Sequence, residues 1–138
     1  MKNIILISCV SKKLNIKSTV ESIYTSSLFK KNLTYAKSLE PHEIFILSAK
    51  YGLLKLTDEI EPYDKTLNKM RSKEIEEWAK EVINQLKSVA DLKNDKFTFL
   101  AGDKYRKHLL TVLNRVEIPM KGLKIGEQLQ WLTKQNNK

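Results

Sequence analysis

Asn3-Ile4-Ile5-Leu6-Ile7-Ser8 is an unbroken run of branched apolar residues closed by a serine, and its reading decides the fold. A strand with one wet face alternates apolar and polar side chains, whereas a run without alternation belongs to a strand covered on both faces. Glu43-Ile44-Phe45-Ile46-Leu47-Ser48 repeats the pattern, and Phe97-Thr98-Phe99-Leu100-Ala101 gives a third buried-type run, closed by Gly102. Helical spacing fills the gaps between them. A short helical stretch holds Ile23 and Tyr24. A second, over residues 27–39, puts Leu28, Phe29, Leu33, Ala36 and Leu39 on one face and stops at Pro41. Ile75, Trp78, Ala79, Val82, Leu86 and Val89 recur at three- and four-residue spacing over residues 72–92. Ser72 is the expected N-cap there, with Glu74 in the electropositive first turn. Residues 104–113 read as a helix through Tyr105, Leu109, Val112 and Leu113, and Val116 to Ile118 as a short strand ending at Pro119. A last helix over residues 125–133 carries Leu129, Trp131 and Leu132, ahead of a frayed tail from Gln135 to Lys138.

Buried-type strands alternating with helices predict an α/β fold. The expectation is a single three-layer domain over residues 1–138, its sheet of about four strands mostly parallel, with helices on both faces. In such sheets ligands sit beyond the carboxyl ends of the strands, at a topological switch point. The working loops are then Ser8 to Lys13, Ser48 to Gly52 and Gly102 to Tyr105. Residues 49–70 show little periodicity and make a long segment for an idle loop in a compact domain.

Composition narrows the function classes. The chain has 138 residues, 41% of them hydrophobic and 30% charged, enough to bury a core and too apolar for a disordered segment. One cysteine excludes a disulfide framework and a four-cysteine zinc site, and His42 and His108 match no spaced ligand motif. No metal and no cofactor are expected. The apolar runs are strand-sized, so no membrane partner is expected, and the polar continuation of the first run does not read as a leader; the expected location is cytoplasmic. Lys and Arg number 25 against 16 Asp and Glu, a formal +9 that favours polyanions and makes nucleic acid or a nucleotide the expected partner. The plain alternative is a lysine-rich surface on ordinary helices. The oligomeric state is not legible.

Four segments could carry chemistry. Ser8, Cys9, Ser11, Lys12 and Lys13 place hydroxyls, amides and two ammonium groups at a strand end, a cradle for phosphate without the glycine spacing of an ATP or dinucleotide loop. Cys9 has no histidine positioned by sequence to act as its base, so an inert thiol is the commoner outcome. Ser48, Lys50, Tyr51 and Gly52 follow a buried strand, Gly52 supplying a positive-φ turn, Lys50 a cation and Tyr51 a ring for a base or sugar. A tight turn with a packed tyrosine explains the same residues. Asp58 to Leu67 is an acidic stretch in a basic chain, and Asp64 stands out because Pro62 stiffens the turn before it and Tyr63 can pack beside it. Gly102 lets a ligand approach the sheet end, Asp103 suits an N-cap, and Tyr105 suits either core or pocket wall.

Together these segments resemble a widespread prokaryotic and phage family of unknown function, whose members are sometimes labelled peroxide-stress proteins. The matches are Cys9, Ser11, Lys12 and Lys13; Tyr24, Ser26, Leu28 and Phe29; Ser48 to Leu53; and Pro62 to Leu67. Leu100-Ala101-Gly102 with Tyr105, and Gly122-Leu123-x-Ile125-Gly126, extend the likeness over nearly the whole chain. Val10, inserted between Cys9 and Ser11, departs from the pattern. A weaker likeness, at the level of fold, is to uracil-DNA glycosylase-type domains.

That likeness implies an enzyme acting on a nucleobase-containing substrate, DNA or nucleotide, by cleavage of an N-glycosidic bond. Asp64 and Lys50 are the expected catalytic residues. Ser8, Cys9, Ser11, Lys12, Lys13, Ser48, Tyr51, Gly52, Tyr63, Gly102 and Tyr105 are expected to bind substrate, with Tyr51 or Tyr63 stacking on a base. The alternative is a basic module that binds nucleic acid or a nucleotide without catalysis.

Overall fold

The computed structural model describes residues 1–8 and 12–138. Its elements are β1 (Asn3–Ser8), β2 (Ser18–Thr19), α1 (Val20–Ile23), α2 (Ser27–Ser38), β3 (Glu43–Ser48), β4 (Gly52–Lys55) and β5 (Glu59–Ile60). After a 3-10 turn at Leu67–Lys69 come α3 (Ser72–Lys87), β6 (Lys96–Leu100), α4 (Asp103–Arg106), β7 (Arg115–Glu117) and α5 (Ile125–Asn136).

The main sheet has five strands in the order β4-β3-β1-β6-β7. β1 lies parallel between β3 and β6, pairing Ile5 with Ile44 on one side and with Thr98 on the other. β7 is parallel to β6, and β4 is antiparallel to β3. The expected set of parallel strands is therefore present, and the fifth strand corrects the count. Gly52 turns the chain straight back at the end of β3, so a segment read as loop becomes an edge strand. Ile4, Ile5, Leu6 and Ile7 are each at most 2% exposed, which only a strand covered on both faces allows. Each such side chain contributes about 1.5–3 kcal/mol on burial.

Helix packing follows the apolar stripes. α2 packs on α5 and against β1, with Tyr35 edge-on to Trp131 at 5.1 Å, while α3 packs against β4. Other details differ from the sequence reading. Arg71, not Ser72, caps α3, and its backbone N–H is taken by the Glu74 carboxylate at 3.2 Å. Residues 104–113 form only the single turn of α4 and a 3-10 turn at Leu110–Val112, so the crossover from β6 to β7 is short. α5 runs on to Asn136, whose side-chain amide donates to the Lys31 carbonyl at 3.2 Å and ties the expected frayed tail to α2.

The segment after β4 is held by tertiary bonds. β5 pairs antiparallel with β2, and the Val20 and Glu21 amides donate to the Asp58 and Leu56 carbonyls. That pairing straps residues 56–60 to the chain leaving β1 and brings Pro62 to Leu67 over the carboxyl end of the sheet. No helix among the described residues is long and apolar enough to cross a membrane.

Candidate functional site

The parallel strands all end at one edge. From β1 the chain travels to β3 on one side, and from β6 it travels to β7 on the other, so the switch point lies between β1 and β6. A cleft of about 570 Å³ opens there. Ser8 and Leu100, the last residues of the two strands, line it together with Ala101, Gly102, Asp103, Lys104 and Tyr105 from the turn into α4. Asp64, Lys65, Thr66, Asn68 and Lys69 descend from the strapped segment, Leu28 and Asn32 come from α2, Ile125 and Gln128 from α5, and Lys13 from the loop after β1. Four lysines face two aspartates in this lining, so the cleft favours an anion while keeping a carboxylate within it.

Of the expected site residues, the cleft brings together Ser8, Lys13, Asp64, Gly102 and Tyr105. Asp64 is exposed, and Tyr105 combines the two prospects raised for it. Its ring lies edge-on to Trp78 at 5.6 Å, its hydroxyl accepts from the Leu67 amide at 3.5 Å, and it still forms cleft wall. Cys9 and Ser11 lie outside the described residues.

The remaining expected residues stand apart from the cleft lining. Lys12 is exposed and not among the lining residues. Ser48 is fully buried. Its hydroxyl donates to the Tyr63 hydroxyl at 2.9 Å and accepts from the Lys50 and Tyr51 amides at 3.3 and 3.1 Å. Tyr63 pairs with the Tyr24 hydroxyl at 2.7 Å, meets Tyr51 edge-on at 5.6 Å, and carries the Lys13 ammonium 4.5 Å from its ring centroid. Its ring is thus occupied on several sides by protein. Tyr63 ties the residue next to Asp64 to the end of β3. Lys50 sits on the β3–β4 turn with its ammonium 5.2 Å from the Tyr51 ring centroid.

Gly52 has the anticipated positive φ, +76°, but its missing Cβ leaves room for the Gln85 side chain of α3. That amide accepts from the Leu53 N–H at 2.9 Å and donates to the Tyr51 carbonyl at 3.4 Å. The glycine therefore serves the hairpin.

Asn32 is the main residue that sequence reasoning missed. It is 4% exposed, lines the cleft, and its Oδ1 has no hydrogen-bond partner. The available signal was phase: Leu28, Asn32 and Ala36 fall four apart, which sets a polar amide on an apolar stripe. Lys65, Lys69 and Lys104 were visible only as part of the general positive charge.

The fold and site define a mostly parallel α/β domain with a basic, carboxylate-bearing cleft at its switch point. Within that class the chain belongs to a family of unknown function, DUF6884, matched over residues 4–134. No curated protein matches it.

Proposed function

We propose that the cleft receives the nucleobase-containing part of an anionic substrate, a nucleotide or one unit of DNA, and that Asp64 there promotes cleavage of the N-glycosidic bond. The observation that carries this reading is the meeting of Asp64, a lysine rim and the buried Asn32 amide in one cleft at the switch point. When the bond breaks, positive charge grows on the sugar and the base departs with the bonding electrons. A carboxylate beside the sugar stabilises that cation or orients the incoming water, which adds to the sugar carbon while its proton goes to the base. The lysines hold phosphate, and Leu28, Leu100 and Ile125 supply apolar wall for the flat faces of base and sugar.

Mass-spectrometric detection of released base from nucleotides and from modified and unmodified DNA tests the reaction. Asp64→Asn should lower release by about 10²–10⁴-fold, as loss of a general catalyst does. Because Asp64 is exposed, stability should change by no more than about 0.5 kcal/mol. Removing a negative charge should preserve or strengthen ligand binding. Binding that survives in both proteins without base release from either would favour the second reading, a non-catalytic module, which the excess of 25 basic over 16 acidic residues independently supports.

A further inference from the structure

Among the described residues four lysines line the cleft, and they are not alike. Lys65, Lys69 and Lys104 are exposed, where water and salt screen their charge. Lys13 is half-buried and fixed at both ends. Its backbone bridges Tyr24, flanked by bonds from the Leu14 amide to the Ile23 carbonyl at 2.8 Å and from the Thr25 amide to the Lys12 carbonyl at 3.0 Å. Its ammonium lies 4.5 Å from the ring centroid of Tyr63 and 5.8 Å from that of Tyr24, and the hydroxyls of those rings are paired at 2.7 Å. A cation is drawn to the negative face of an aromatic ring, so the two rings hold this charge in one place. Tyr63 also directly precedes Asp64 in the chain. One tyrosine thus ties a placed cation to the carboxylate of the same cleft.

That pairing of opposite charges fits the two halves of a breaking N-glycosidic bond. We infer that Lys13 is a catalytic residue of the cleft, its ammonium donating to the base as the base departs, while the three exposed lysines hold phosphate. The inference rests on the nucleobase reading and separates the lysine that speeds the chemical step from those that only bind. Breaking the bond leaves its electrons on the base, where an oxygen or ring nitrogen carries the new negative charge. An ammonium, which donates and never accepts, is matched to that charge. It keeps its own proton throughout; water adds to the sugar carbon and the proton of that water ends on the base. A charge already in place needs no reorganisation as the bond breaks, and it is worth more where water is partly excluded. A phosphate carries the same charge before and after the break, so a lysine on it changes binding and leaves the rate of the bound complex alone.

The test is single-turnover base release, followed by mass spectrometry, from dUMP, 5-fluoro-dUMP, dGMP and N7-methyl-dGMP. Uracil and guanine leave as anions, 5-fluorouracil leaves as a better-stabilised anion, and N7-methylguanine, cationic before the break, leaves neutral. Wild type should release base from dUMP, dGMP or both. Lys13→Met and Lys13→Gln should slow that release by about 10²–10³-fold, as loss of one charge-stabilising donor does. They should slow 5-fluoro-dUMP less and leave N7-methyl-dGMP unchanged or faster, with calorimetric nucleotide affinity held within about threefold. Lys13→Arg should recover part of the rate, and melting temperatures show that the variants fold. Changing Lys65, Lys69 and Lys104 together to Gln should instead weaken nucleotide binding and keep the saturated rate within about threefold. An equal slowing of dGMP and N7-methyl-dGMP, an equal slowing of dUMP and 5-fluoro-dUMP, or a loss of affinity alone overturns the role of Lys13 and leaves the cleft a glycosidic site. Release from N7-methyl-dGMP alone does the same, because a base that leaves neutral needs no cation. Absence of release by wild type from all four overturns the glycosidic reading and this inference with it.

Discussion

At the scale of single residues, side-chain type was legible and direction was not. Ser48 reads as ligand-facing because it closes a buried strand, and Tyr63 as a ring that packs beside Asp64 or stacks on a base. In the folded chain their hydroxyls instead bond one another and Tyr24, and the loop bearing Asp64 hangs from that cluster. Nothing in a one-dimensional pattern separates the two outcomes, because the partner lies far along the chain. Asn32 shows the reverse failure, a polar residue on the apolar side of α2 that the pattern did not single out and that lines the cleft. Tyr63→Phe checks the anchoring role. It keeps the ring and so would preserve stacking on a base, but it deletes the hydroxyl shared with Ser48 and Tyr24. Unfolding free energy should fall by about 1–2 kcal/mol, the cost of a lost buried hydrogen bond. If Tyr63 positions Asp64, base release should fall in the same variant while nucleotide affinity holds; an unchanged denaturation midpoint would remove the anchor.

At the scale of elements, the central strands were the easiest to read and the shortest elements the hardest. β1, β3 and β6 announce themselves because burial on both faces demands unbroken apolar runs. β2, β5 and α4 have two, two and four residues, and each is held by bonds to distant segments rather than by its own periodicity. The entry to β6 is another such device. Asp95 is 4% exposed, and its carboxylate accepts from the backbone amides of Lys2 and Asp91, both at 2.8 Å. It thereby closes the β1–β6 ladder at the edge opposite the cleft, next to the bond from the Lys96 amide to the Lys2 carbonyl. Burial by itself pushes the Asp95 pKa up, but the two amide hydrogen bonds and the Lys2 charge outweigh it and hold the carboxyl below its ordinary value. A depressed pKa means the folded state binds the proton less readily than the unfolded chain. The stabilisation is complete above the ordinary aspartate range, near pH 4, and is lost as pH falls from there through the folded value. Denaturant titrations at pH 7 and pH 3 should show that loss, and Asp95→Asn should be less stable at pH 7 with a shallower decline toward acid. A parallel pH profile in wild type and variant would mean that the acid sensitivity comes from other carboxylates.

At the scale of the whole molecule, the formal +9 was the clearest functional signal in the sequence and the least specific. It favours any polyanion, and a positive field spread over a small domain binds nucleic acid by counterion release without naming a site. The cleft converts that general charge into a local claim, because Lys65, Lys69 and Lys104 stand around one opening together with Asp64. Salt dependence separates local from diffuse binding. For a single strand, each phosphate neutralised contributes about 0.7 to the slope of log affinity against log salt. If the cleft is where a strand is held, changing Lys65, Lys69 and Lys104 together to Gln should weaken single-stranded DNA binding and flatten the slope by roughly 2, three contacts at about 0.7 each. The three are exposed, so melting temperature should hardly move. Were the strand held instead by the remaining basic surface, affinity and slope would both stay near wild type. Anisotropy titrations across a salt series on the two proteins decide between these outcomes, and a slope unchanged by loss of the rim lysines would detach nucleic-acid binding from the cleft altogether.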